Sequence, residues 1–192
     1  MKGPLIHQGT PAVNMGVAHP RYFVGIDPDT DKSGLVLVDK QERRIVSAEA
    51  LELPALVEHL RMIAQEHDGE CYKVLVIIED SDTSTNWHVT RLLTSGYPLA
   101  KKLREAAAIG RSAGMCHATL RHIQQFAESA GLPVMMQRPL RKCWRGHDGK
   151  ITQGEAEQFM TGLPKRTNQE VRDAALLAWA GSGLPMRLNP KM

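Results

Sequence analysis

YFVGIDPDTDKSGLVLVD, residues 22–39, reads as strand, tight polar turn, strand. Phe23, Val24 and Ile26 favour extended backbone. Asp27-Pro28-Asp29 and Lys32-Ser33-Gly34 are turn formers, and Leu35 to Val38 resume an apolar run. The first strand is too apolar to be solvated, so Asp27 stands at the end of a buried strand. A carboxylate there is costly unless a cation, a hydrogen-bond donor or a proton offsets it. Two further acidic groups could converge with it: Glu79, closing the apolar run VLVIIE, and the pair Glu170 and Asp173, opening the last helix.

Working outward, Arg43 to Leu51 gives a third strand, and the short connections make the first three an antiparallel meander. Leu53, Leu56, Val57, Leu60, Ile63 and Ala64 recur at helical spacing, one apolar stripe ending near His67-Asp68-Gly69. Lys73 to Glu79 follows as a near-continuous apolar strand, the pattern expected when both sheet faces are covered. Strand, helix, strand implies a parallel, right-handed crossover. Asp80 to Tyr97 is a polar connection with one helical turn around Val89 to Leu93, long enough to be either functional or unstructured. Pro98 opens a long helix to about Ala130, in which Gly110 and Gly114 mark a kink or a close approach by another backbone. Val134 to Met136 is a short last strand. Arg138 to Gly149 is a basic loop, and Thr152 to Gly162 a helix begun by a capping box of Thr152 and Glu155. Asn168 caps the final helix, whose buried face is Val171, Ala174, Ala175, Ala178 and Trp179. Residues 1–20 read as a flexible N-terminal arm, 21–184 as one domain and 185–192 as a C-terminal tail.

The totals agree with one domain. The 192 residues can bury a substantial core without disulfides. The net charge of +3 permits a polyanionic partner without requiring one. Cys71, Cys116 and Cys143 form no C-x-x-C pair, and Cys143 with His147 lacks the second pair that a zinc site needs. No run reaches the length of a membrane span and no signal-peptide core opens the chain, so the expected compartment is a reducing cytoplasm.

The acids have plain readings one by one. Asp27 suits a polar turn, Glu79 a solvated strand end, and Glu170 with Asp173 the N-terminal turns of a helix, where the macrodipole favours negative charge. Together they have another. Magnesium prefers carboxylate oxygen and keeps several waters. Asp27 and Glu79 close the two strands expected to be central, and Glu170 and Asp173, three apart, share one helix face. A helix lying across the strand ends would bring all four together.

The order of these motifs resembles that of RuvC-type Holliday junction resolvases, nucleases of the RNase H-like superfamily. GIDPDTDKSG is similar to their first-strand motif, VIIED to their fourth-strand glutamate, AIGRSAG to the helix segment before their fifth strand, and NQEVRDAALLA to their last-helix motif. The likeness runs from about Tyr22 to Trp179. It implies an RNase H-like α/β fold: a mixed five-stranded sheet, an antiparallel three-strand meander plus parallel strands, flanked by helices. It also implies that Asp27, Glu79, Glu170 and Asp173 bind two magnesium ions, which manganese can replace, and that Lys150 is a catalytic lysine. Position 170 is Glu where that family often has Asp, and the connection after Glu79 is longer, which leaves junction preference open.

Under that reading two ions clamp an in-line displacement at phosphorus, with Asp27 bridging them, and Lys150 offsets charge on the phosphate. Arg138, Arg141, Lys142 and Arg145, with Trp144 among them, form a basic loop for DNA. Lys101, Lys102 and Arg104 form a second cluster, and Trp87 could stack on an unpaired base. Solvated surface charge and a packing role for Trp87 are the plain alternatives. The expected function is a magnesium-dependent, structure-selective DNA endonuclease that resolves Holliday junctions by paired nicks. Paired nicks require a homodimer, with Ile109, Met115 and Leu120 as interface candidates. No small-molecule cofactor and no membrane partner is expected. The alternatives are a related nuclease acting on flaps, forks or RNA-DNA hybrids, a silent branched-DNA binding module, and an actin-like or sugar-kinase-like ATPase, for which the chain lacks a second domain.

Overall fold

The computed structural model describes residues 19–80, 90–140 and 143–186. Strands β1 (Tyr22–Asp27), β2 (Ser33–Asp39) and β3 (Arg44–Leu51) are followed by helix α1 (Leu53–Glu66) and strand β4 (Val74–Glu79). Helix α2 (Leu99–Ser129), strand β5 (Val134–Gln137), the short helix α3 (Gln153–Glu157) and helix α4 (Gln169–Gly181) complete the order. The five strands form one mixed sheet in the order β3-β2-β1-β4-β5. β1 pairs antiparallel with β2, as β2 does with β3, while β1 pairs parallel with β4 and β4 with β5. This is the mixed five-stranded sheet with flanking helices expected from the sequence.

Strand periodicity divides the core in two. Phe23, Val36, Val38 and Ile77 join one cluster with Val171, Ala174, Leu177 and Ala178 of α4 and with Ala156 of α3. Val24, Ile26, Leu35, Val76 and Ile78 join another with Leu56 and Leu60 of α1 and Leu120 and Ile123 of α2. Each central strand is therefore apolar on both faces, which is why β1 and β4 lack strict polar alternation.

Two glycines set how closely α4 lies on the sheet. A Cβ on Gly25 would run into the carbonyl oxygen of Ala174, and one on Gly34 into that of Glu170. Helix backbone thus rests directly on strand backbone at both places. Ser33 and Gly34, read from sequence as turn residues, belong to β2, where Gly34 pairs with Asp27. The turn itself is held by Ser33, whose Oγ accepts from the Asp29 amide at 3.1 Å, and by Asp29, whose Oδ1 accepts from the Asp31 amide at 2.9 Å.

Several sequence expectations need correction. α2 is one helix of 31 residues, and among the described residues nothing lies within 4 Å of a Cβ built on Gly110 or Gly114, so no described backbone approaches them. The helix predicted for Thr152 to Gly162 covers only Gln153–Glu157. Its continuation is diverted because the Ile45 amide takes the Thr161 carbonyl at 2.8 Å, and Gly162 then passes beside Ile45 at φ +86°. Leu120, an interface candidate, is 4 % exposed and part of the core against α1 and the sheet. Ile109 is half-buried and Met115 exposed. The arm through residue 18, the segment 81–89 with Trp87, Arg141, Lys142 and the tail from 187 lie outside the described residues.

Candidate functional site

The parity that divides the core also aims the acids. Asp27 follows Phe23 and Gly25 on one face of β1, and Glu79 follows Leu75 and Ile77 on the same face of β4. That is the face α4 covers. The parallel register pairs Ile26 with Ile78, so the next residues on, Asp27 and Glu79, end adjacent strands side by side. Strands lie about 4.8 Å apart. α4 crosses above them with Asn168 as its N-cap: the side-chain oxygen accepts from the Val171 amide at 3.0 Å. Glu170 and Asp173 occupy its opening turns.

Asp27, Glu79 and Asp173 line one cleft of about 110 Å³, with Pro139, Leu140, Trp144, Gly149, Lys150, Ile151 and Leu176. Glu170 does not line it, but its charge reaches both Asp27 and Lys150. Burial pushes the Asp27 carboxyl up to about 8, helped by the charges of Glu79, Asp173 and Glu170 and opposed by Lys150. Lys150 sits 2.8 Å from Oδ2 of Asp173. Burial works against its ammonium, but the Asp173 hydrogen bond and charge, with Asp27 and Glu170, leave its pKa above the ordinary lysine value.

The loop that delivers Lys150 has its own anchor. Glu155 is nearly buried and accepts from the Arg145 amide at 3.0 Å, the Thr152 amide at 3.0 Å and the Thr152 hydroxyl at 2.8 Å. Thr152 in return caps the Glu155 amide, which makes the capping box expected from the sequence. The Gly146 amide donates to Lys150 O and the Trp144 amide to Gly149 O, closing the loop on itself. Trp144 is stacked with Phe159 at 5.9 Å between centroids and packs on the α4-side core, so its ring serves as cleft wall and core at once.

The basic residues are distributed unevenly. Arg138 and Arg145 are exposed on the loop flanking the cleft. Lys101, Lys102 and Arg104 stand at the start of α2. Lys101 lies 3.6 Å over the Tyr97 ring and lines a different cleft of about 650 Å³, and Lys102 donates to Leu93 O at 2.9 Å. Two residues unremarked in the sequence border the acids. Gln169 donates to Oδ1 of Asp173 at 2.8 Å, and Arg172 donates to Gln169 Oε1 at 2.8 Å. Both read from sequence as ordinary polar residues of a helix start; their spacing of three and four from each other and from Asp173 is the only signal they leave.

The donor set suits the divalent ion that the sequence resemblance implies. Carboxylate oxygens from two rigid strand ends and a helix are hard ligands suited to magnesium. A carboxyl driven up to about 8 by burial and like charge is one that a cation would relieve. Among the described residues no three His, Cys, Asp or Glu side chains meet as a ready-made metal cage. The acids share an open cleft, compatible with an ion that keeps part of its water. The residues fit.

No protein-family model matches the chain, and no curated protein does. Among solved structures, a Thermus thermophilus RuvC structure is similar over 87 % of this chain and 99 % of that one, at 18 % identity and a TM-score of 0.44. A T. thermophilus RuvC in complex with a Holliday junction substrate is similar over 84 % of this chain and 96 % of that one, at 15 % identity and a TM-score of 0.46.

Proposed function

We propose that this chain is a divalent-metal-dependent DNA endonuclease acting on branched DNA, with the four-way junction as its principal substrate. The observation that carries the reading is the placing of Asp27, Glu79 and Asp173 in one cleft with Lys150. They come from two strand ends, a helix and a loop, and burial and the neighbouring acids raise the Asp27 carboxyl. Without a cationic ligand the crowding of Asp27 against its neighbouring acids costs stability. Asp27, Glu79 and Asp173 would hold magnesium, with Glu170 beside them to orient water. When bound there, magnesium would supply an activated water and stabilise the departing oxygen of an in-line phosphodiester cleavage.

The remaining work falls to the chain's own groups. Asp27 is fixed at the end of β1, a strand held in the middle of the sheet, so its oxygens need no search for geometry. Lys150, now paired with Asp173 at 2.8 Å, can turn to a phosphate oxygen once Asp173 is otherwise engaged. Arg138 and Arg145, on the rim, would hold the flanking backbone phosphates and make binding salt-dependent. Trp144 and Leu140 form an apolar wall against which a sugar can rest. The junction preference rests on the sequence motifs of β1, β4 and α4.

Paired nicks on a junction need two copies of this site related by a two-fold axis. Leu99, Leu103 and Met115 are exposed along α2 and offer apolar surface to a second copy. The deciding experiment is nicking of a synthetic four-way junction, a flap, an RNA-DNA hybrid and linear duplex, each with magnesium and with chelator, alongside light scattering. Metal-dependent, symmetric nicks on the junction by a dimer support the reading. A monomer that cuts linear duplex as fast as the junction defeats the substrate assignment, and no cleavage of any substrate with magnesium or manganese defeats the nuclease.

A further inference from the structure

Asp173 has one oxygen already committed within its own helix. Its Oδ1 accepts from Gln169 Nε2 at 2.8 Å, and its Oδ2 faces Lys150 Nζ at 2.8 Å. Which end of the Gln169 amide points at Asp173 is settled by chemistry. Arg172 Nη2 donates to Gln169 Oε1 at 2.8 Å, and a guanidinium can only donate. A flipped amide would set NH₂ against guanidinium and carbonyl oxygen against carboxylate, two repulsions in place of two hydrogen bonds. Arg172 is in turn held by the Ile151 carbonyl, to which Nε donates at 3.2 Å, and by the Thr167 carbonyl. The chain Ile151/Thr167–Arg172–Gln169–Asp173 therefore links the loop carrying Lys150 to the orientation of one carboxylate.

From this we infer that Gln169 is a positioning residue for the metal site, fixed by Arg172, which ties up Asp173 Oδ1 and presents Oδ2 alone to a cation. The inference rests on the nuclease reading of the cleft. Its physical content is that Asp173 acts through one oxygen, in a rotamer chosen before any ion arrives. Partners of this kind behind a ligand commonly contribute tenfold to a hundredfold in metal affinity. Arg172 serves two purposes, since the same guanidinium pins Ile151, the neighbour of Lys150. The lysine and the carboxylate are thereby indexed to one group.

The test compares wild type, Gln169→Met and Asp173→Asn, each titrated with manganese by calorimetry and by melting temperature, and then assayed for junction nicking across a magnesium series. Methionine keeps the length of glutamine and removes the donor. The expected result is binding by wild type, loss of binding by Asp173→Asn, and roughly tenfold or more weaker binding by Gln169→Met at unchanged stoichiometry. Its melting temperature in chelator should stay near that of wild type. In the nicking assay Gln169→Met should need correspondingly more magnesium for half-maximal rate and recover most of its kcat at saturation, a split that general misfolding would not give. Gln169→Ala, which also lacks the donor, should reproduce the weaker binding if the methionine variant folds poorly. If wild type binds and Asp173→Asn does not, while both Gln169 variants bind as wild type does, the positioning role is overturned and the nuclease reading stands. If wild type itself binds no manganese, the metal-site reading falls and takes this inference with it.

Discussion

Asp27→Asn should make the metal-free protein more stable while abolishing its response to metal. Burial, with the charges of Glu79, Asp173 and Glu170, moves the Asp27 carboxyl from 3.8 to about 8. At about 1.4 kcal/mol per pH unit this corresponds to about 6 kcal/mol against the ionised form. The cleft is open to water, and solvent screening reduces the net cost to roughly 2–4 kcal/mol. The sign follows from linkage. The folded-state value lies above the unfolded one, so ionisation is easier in the unfolded chain. The penalty is absent below about pH 4, grows as pH rises, and levels off above about 8. Asparagine keeps the shape and loses the charge. In chelator the variant should therefore melt close to wild type at pH 4 and higher by roughly 5–15 °C at pH 8.5, at about 2–4 °C per kcal/mol for a chain of this size. Magnesium should raise the wild-type melting temperature and leave the variant unmoved. A scanning-calorimetry series over pH, with and without magnesium, reads both effects. If Asp27→Asn melts at or below wild type in chelator at pH 8.5, the carboxyl is not under the strain that the site argument requires.

Three further outcomes follow from other parts of the structure. Gly34→Ala should cost about 2–4 kcal/mol by urea denaturation and lower nicking at least tenfold, because its Cβ would collide with the Glu170 carbonyl and push the acid-bearing end of α4 off the sheet; an unchanged urea midpoint would show that α4 does not rest there. Lys150→Met should lower kcat for nicking by about a hundredfold while binding junction within a few fold of wild type in a gel-shift assay; unaltered kcat would remove the lysine from the chemistry. Glu155→Gln should destabilise by about 1–3 kcal/mol at pH 7 and flatten the acid limb of the stability curve. The hydrogen bonds from Thr152 and Arg145 hold the Glu155 carboxyl below its ordinary value despite burial, so its contribution is present above about pH 4.5 and lost as pH falls through the folded-state value.

How much of this could be read in the chain depends on which physical rule each feature obeys. The strands and the α4 face were legible because β1, β2 and β4 are apolar runs ended by turn residues and the last helix repeats its alanines at helical spacing. Asn168 and the Thr152–Glu155 box were legible because caps are local chemistry. Gly34 was not, because a glycine beside Ser33 and Lys32 looks like a turn, whereas its purpose is to admit a helix backbone 136 residues further on. The truncation of α3 had no local signal either, since it depends on Ile45 capturing the Thr161 carbonyl. Gln169 and Arg172 were hidden by their chemistry: polar residues at a helix start belong there on any reading. Parity is the signal that aims the acids, because Phe23, Gly25 and Asp27 alternate with Val24 and Ile26 just as Leu75, Ile77 and Glu79 alternate with Val76 and Ile78.

That parity explains why an acid cluster tolerates such a position. Side chains on one face of β1 and β4 are driven under α4 by the burial of Phe23 and Ile77, and the last member of each series is a carboxylate whether or not it suits the site. The apolar residues set the strand register, and a one-residue slip would turn the whole series to the other face. Core burial thus holds Asp27 and Glu79 together against their mutual repulsion, with Gly25 and Gly34 drawing α4 and Asp173 down onto them. The opposing charge arrives separately, on a loop closed by Gly146 and stapled by Glu155. Because the acids are fixed by the core and Lys150 only by its loop, the lysine is the partner able to move. A cation entering the cleft would displace Lys150 from Asp173 and leave Asp27 where the sheet has put it.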